Sequence, residues 1–137
     1  MKKGTLHVRI LEGRNVKETD LIGQADPFVE FWIDGQEKQK TETRKNTDTP
    51  VWLHETTIPL NGNENNLYIR LLDKDLLRSD DLGETRVDLA QLYQHYFLDS
   101  WVSVRSPKSK ESTGEVHLVL EYFPKVDHHE RLANRAF

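Results

Sequence analysis

The sequence contains no cysteine. That excludes a disulfide framework, a thiolate metal site and a cysteine nucleophile, and it suits a reducing compartment. Also lacking is any stretch near the roughly 20 apolar residues that a spanning helix needs, so any membrane contact is expected to be peripheral. The opening residues, Met1 to His7, carry two lysines but no apolar run, so no secretory signal is expected there. There is no basic excess: 19 Lys and Arg stand against 23 Asp and Glu, a net charge of -4. General nucleic-acid binding, which relies on a basic face, is therefore not expected. Only 36% of the residues are hydrophobic and 31% are charged, a low apolar share but more than disordered chains have. At 137 residues the chain suits one core rather than two.

What is present is period-two alternation. Leu6, Val8 and Ile10 alternate with Thr5, His7 and Arg9. Val29, Phe31 and Ile33 share one side of a second run, Leu67, Ile69 and Leu71 of a third, and Val116, Leu118 and Leu120 of a fourth. Successive side chains of a strand point to opposite faces, so each run has one core face. Gln36 to Thr43 and Trp101 to Val104 read as further strands. All seven glycines are expected between the strands or at their ends, and short strands punctuated in this way point to a β-sandwich or barrel. Asp88 is placed to cap one short helix over about 88–96, with Leu89, Leu92 and Tyr93 on one side. Residues 1–124 are expected to form one domain and 125–137 a polar tail.

Two acidic segments interrupt this pattern: Asp20 to Phe28, with Asp20 and Asp26, and Asp73 to Gly83, with Asp73, Asp75, Asp80 and Asp81. Both follow an alternating strand, so both are expected to be loops at strand ends. Calcium takes about 6–8 oxygen ligands, largely from carboxylates. Asp73 and Asp75 are two residues apart, a spacing that puts both side chains on one face of an extended segment. Without a cation their repulsion disfavours that arrangement. Asp beside Gly also marks ordinary turns, but two such segments together favour the cation reading. An EF-hand starting at Asp73 would place Glu84 correctly. It fails at Leu77 and Arg78, where a ligand and a glycine are needed.

On these residues the chain resembles the C2 domain family, over about Gly4 to Pro124. Gly4-Thr5-Leu6-His7-Val8-Arg9-Ile10 is similar to the family's first core strand. Asp20-x-x-Gly23-x-x-Asp26-Pro27-Phe28-Val29 resembles its first calcium-binding loop. Lys40-Thr41-x-Thr43 and Thr49-Pro50-Val51-Trp52 resemble a central strand and turn, and Asp73-x-Asp75, Asp80 and Gly83 resemble the third loop. The resemblance implies an all-β fold, an eight-stranded antiparallel Greek-key sandwich, in the second of the family's two circularly permuted topologies. It further implies two or three Ca2+ ions held by Asp20, Asp26, Asp73 and Asp75, with the Lys74 backbone carbonyl as another donor. A fifth carboxylate is Asp80, counted back from Gly83, or Asp81, counted forward from Asp73; the glycine turn favours Asp80. One departure lies after Trp52, where Leu53-His54-Glu55 stands in place of the family's Asn-Glu. It leaves the strand register near residue 54 open.

Beside the acids sit apolar residues, Leu21 and Ile22 in one segment and Leu76 and Leu77 in the other, with Arg78 next to them. Burying one such side chain fully is worth roughly 1.5–3 kcal/mol, of which an interface recovers part, and Arg78 suits a lipid phosphate. Packing back onto the sandwich is the competing role for the four apolar residues. With six of the acids in these two segments, the net charge of -4 leaves +2 for the rest of the chain. Two calcium ions would cancel the total. The expectation is an electrostatic switch: anionic phospholipid is repelled without calcium and bound with it. The family also suggests a phosphoinositide patch at Lys38, Lys40, Arg44 and Lys45, although Glu37 and Glu42 weaken it. The expected location is cytoplasmic, with reversible association with membranes. A calcium-independent module with a protein partner is the second reading. An enzyme is not expected, because no Ser-His-Asp order, glycine-rich phosphate loop or HExxH motif is present.

Overall fold

The four alternating runs become strands whose even-spaced apolar residues line a single core. The computed structural model describes residues 2–17, 23–74 and 79–126. Among them are β1 (Gly4–Arg14), β2 (Pro27–Ile33), β3 (Gln39–Lys40), β4 (Val51–Leu60), β5 (Asn66–Lys74), β6 (Ser79–Asp88), β7 (Phe97–Arg105) and β8 (Ser112–Pro124), with one helix, α1 (Ala90–His95). The strand order is β3-β2-β5-β6-β7-β8-β1-β4, and every pair is antiparallel. Four strands stand on each side of one weak seam, because β6 meets β7 only at Glu84 opposite Arg105. The sheet curls there into an all-β sandwich. Leu6, Val8, Ile10, Val29, Phe31, Leu67, Ile69, Leu71, Leu118 and Leu120 are fully buried between its halves.

The short helix forms over Ala90–His95, within the expected stretch, but Leu89 rather than Asp88 stands at its N-cap. Asp88 Oδ1 accepts from the Ala90 N–H at 2.9 Å, satisfying one otherwise unpaired amide of the first turn. Leu89 and Leu92 are buried, and the Tyr93 hydroxyl donates to the Glu64 carbonyl at 2.7 Å.

Several strands differ in extent from their sequence reading. In place of a strand over 36–43, the ladder is confined to Gln39–Lys40. It stops at Thr41, whose hydroxyl accepts from the Val29 N–H at 3.0 Å, a role the next ladder carbonyl would otherwise play. β7 is longer than Trp101 to Val104. The open register after Trp52 is settled by a bulge. Ile10 pairs with His54 and Glu12 with Val51, so Trp52 and Leu53 together oppose Leu11. The extra residue is Leu53, 69% exposed at φ 48°.

Two glycines lie inside strands rather than between them. Gly83 is within β6, directly after a bulge at Leu82, and Gly114 is within β8, directly after another at Thr113. These two bulges meet at the seam. A Cβ on Gly83 would stand 2.2 Å from Thr113 Oγ1 and 3.1 Å from the Arg105 backbone, so only glycine lets the strands approach this closely.

Candidate metal centre

Asp26, the second acid of the first acidic segment, is held from two directions. Its amide donates to Asp73 Oδ1 at 2.8 Å, and its carbonyl accepts from the Lys74 amide at 2.9 Å. Its carboxylate Oδ1 accepts from the Asn46 amide at 2.7 Å. Asn46 also braces the segment from its side chain, accepting from the Gln24 amide at 2.8 Å, while the Thr47 amide donates to the Ala25 carbonyl at 3.0 Å. The next carbonyl, that of Pro27, takes the Trp52 indole N–H at 3.1 Å and the Arg44 amide at 3.0 Å. Sequence reasoning missed Asn46 and Trp52 as the clamp. A signal was available in Asn46-Thr47-Asp48-Thr49-Pro50, a run of turn-forming residues. Asn46 adopts φ 51°, which asparagine tolerates better than most residues.

Asp73 is the last inward residue of β5 and is 4% exposed. Carboxylates are seldom buried without compensation, and the Asp26 amide supplies part of it. Opposite Asp73 on β6 stands Asp80. Residues directly opposite in an antiparallel pair project to the same face, so Asp73 and Asp80 share a face at one end of the sandwich, beside the Asp26 backbone. Asp80 and Asp81 were expected on a loop; both belong to β6. Asp81 falls opposite Leu72. Its Oδ2 lies 3.6 Å from Arg70 Nε, and Arg70 also reaches Glu30 at 3.5 Å and Glu84 at 3.7 Å. Burial holds the Asp81 carboxyl above the usual carboxylate range; Arg70 works against this, and Glu84 and Glu30 add to it.

Among the described residues, no group of three His, Cys, Asp or Glu side chains converges closely enough to hold a metal. The other expected ligands, Asp20 and Asp75, lie outside the described residues, as do Leu21, Ile22, Leu76, Leu77 and Arg78. The donors that are described fit a hard cation in kind: carboxylate oxygens brought together from neighbouring segments and oriented by backbone N–H groups. They do not resemble a sulfur or imidazole site.

The expected basic patch is divided. Lys38 lies over the Trp32 ring at 4.6 Å and 3.9 Å from Glu30. Arg44 donates to the Val51 carbonyl at 2.7 Å and pairs with Glu42 at 2.9 Å. Lys40 and Lys45 are exposed and make no ion pair among the described residues. Lys40 instead lines a cavity of about 500 Å3 with Lys74, Phe28, Thr43 and His54. Burial pushes the His54 imidazole below its usual value, against the pull of Glu42, and its Nε2 is buried without a partner among the described residues.

No helix among the described residues is long and apolar enough to cross a membrane. The C2 domain family model matches residues 4–104. Tricalbin-3 of Saccharomyces cerevisiae is 32% identical over 91 residues, 65% of this chain and 6% of that protein. Across the first curated relatives, this chain spans 6% to 23% of their length. Among solved structures, a C2 domain of a plant Extended Synaptotagmin 1 superposes with a TM-score of 0.79 at 18% identity, covering 90% of this chain and 97% of that one. A two-domain C2 structure of Extended-Synaptotagmin 2, described as calcium bound, gives 0.78 at 23% identity, covering 90% and 47%. The family match and the shared fold together make this chain a member of the C2 domain family, whose fold is generally that of a binding module.

Proposed function

We propose that the chain is a calcium-dependent phospholipid-binding module, working in the cytoplasm and associating reversibly with membranes. The observation that carries this reading is the buried Asp73 carboxylate, tied to the Asp26 backbone and opposite Asp80 on the neighbouring strand. The like charges of Asp73 and Asp80 on facing strands repel one another, and a divalent cation relieves that repulsion.

Asp20 and Asp75 complete the donor set on this reading, with Asp26, Asp73, Asp80 and the Lys74 carbonyl, around two or three Ca2+ ions. Asp81 is left to Arg70. When bound, calcium supplies positive charge and open coordination positions that lipid phosphate oxygens fill. The chain's own residues do the rest. Leu21, Ile22, Leu76 and Leu77 enter the interface, and Arg78 meets a phosphate. Lys40 and Lys45 are the residues of the basic patch left to attract anionic or phosphoinositide headgroups, each worth about 1 kcal/mol near such a surface. That the similar Extended-Synaptotagmin 2 structure is described as calcium bound is consistent with this reading.

Calorimetric titration of the full chain with calcium tests the site. Two or three ions are expected, with most of the binding lost in Asp73→Asn/Asp75→Asn. A chain that takes up no calcium instead supports the second reading, a calcium-independent protein-interaction module.

A further inference from the structure

The seam between β6 and β7 opens into a groove unconnected with the acidic centre. Beyond Glu84, β6 has no partner on its β7 side among the described residues, so its edge is open for pairing. Beside it lies a cavity of about 540 Å3. One part of its wall is aromatic: Trp32 and Tyr68 stack at 5.3 Å, 18° from parallel. The opposite part is the β7–β8 turn, with Pro107, Arg105 and Lys110, and Arg86 of β6 also lines it.

The charges around this groove are unbalanced. Arg86, Arg105 and Lys110 make no ion pair among the described residues. The Arg105 guanidinium donates to the Lys110 carbonyl at 3.1 Å, which shapes the turn without neutralising either charge. Among the described residues, the groove's one lining acid, Glu84, lies 3.7 Å from Arg70, which also lines it, and nearby Glu111 lies 3.7 Å from Lys17. A concave, ring-lined cleft does not fit a flat bilayer, and a chain of net charge -4 is a poor general nucleic-acid binder.

We propose that this groove docks an extended acidic segment of a partner protein, with an apolar side chain set against the Trp32–Tyr68 pair. Arg86, Arg105 and Lys110 face its carboxylates, and the open β6 edge offers main-chain groups to it. Edge pairing gives such complexes affinity, while pockets and charges beside the edge give them specificity. The groove shares no residue with the proposed calcium ligands and stands whether or not calcium binds.

Selection from a displayed library of random 12-residue peptides on the full chain tests this inference. Enriched peptides should be net acidic and contain an aromatic or aliphatic residue. Resynthesised, they should lose about tenfold or more in affinity for Arg86→Glu/Lys110→Glu, as expected when close charge pairs are reversed. Lys40→Glu/Lys45→Glu, away from the groove, should leave that affinity within about twofold. Thermal melts check that the variants fold, and Lys110→Glu alone, on the exposed turn, serves if the double variant does not. No enrichment, neutral or basic peptides, or affinity unchanged by charge reversal at the groove would overturn the proposal.

Discussion

Asp73 and Asp80 stand opposite each other across β5 and β6, whereas Asp81, one residue later, falls opposite Leu72 and reaches Arg70 instead. The two neighbouring acids therefore have different work. Asp80→Asn is expected to weaken calcium binding by about tenfold or more, roughly 1.4 kcal/mol. Asp81→Asn should leave calcium binding within about threefold, because the side chain serves the Arg70 cluster. Calorimetric titration of both variants reads the difference; equal losses would mean that Asp81 is also a ligand.

The turn between β4 and β5 is organised by Glu64, 3% exposed, whose carboxylate accepts from the amides of Asn61, Gly62 and Asn63 at 2.9–3.2 Å. Burial opposes its ionisation, but the amides of Asn61, Gly62 and Glu64 itself, with the Gln36 side chain, outweigh that and hold its pKa below the usual 4.5. A carboxyl whose folded pKa is depressed stabilises the protein above its unfolded pKa, and the contribution is lost as pH falls through the folded value. Thermal melts should therefore show wild-type stability dropping below about pH 4.5, with a smaller drop in Glu64→Gln. At pH 7, Glu64→Ala should cost about 1–2 kcal/mol, because it takes the shared acceptor from the turn's amides.

At Gly83 the constraint is space. Gly83→Ala should destabilise by about 1–3 kcal/mol, since its methyl group has no room beside Thr113. Thr113→Ala removes the Oγ1 that the new methyl would meet at 2.2 Å. The double variant should thus lose less than the sum of the single losses, a non-additivity that denaturant melts detect. Simple additivity would mean that the Arg105 backbone, not Thr113, sets the limit.

Leu53 holds a left-handed conformation while 69% exposed, so it spends backbone strain on little packing. Leu53→Gly should raise stability by about 1 kcal/mol, roughly 3–6 °C in melting temperature. A lower melting temperature would mean that the exposed leucine makes contacts worth more than the strain.

How much of this was legible in the sequence depends on where apolar residues fall. β1, β2, β5 and β8 announce themselves because nearly every inward position is Leu, Val, Ile or Phe. β4 does not, because two of its inward positions hold His54 and Thr56 and a bulge interrupts it at Leu53. β6 reads as a polar loop, because Leu82 and Val87 are its only apolar residues and Leu82 is itself a bulge. That misreading put Asp80 and Asp81 on a loop, although counting back from Gly83 picked out the acid that faces Asp73. The Asn46 and Trp52 clamp was not legible, because it depends on a crossing of segments some 20 residues apart in the chain. The basic patch was legible in composition, but the ties of Lys38 and Arg44 to Glu30 and Glu42 become visible only in the fold.

Co-sedimentation with phosphatidylserine vesicles, in calcium and in chelator, is the most direct test of the central claim. Wild-type chain should pellet with calcium and stay in the supernatant with chelator, and Asp73→Asn/Asp75→Asn should stay in the supernatant in both. Equal pelleting of wild type and variant in both conditions would contradict the calcium switch and move membrane binding to the basic surface around Lys40.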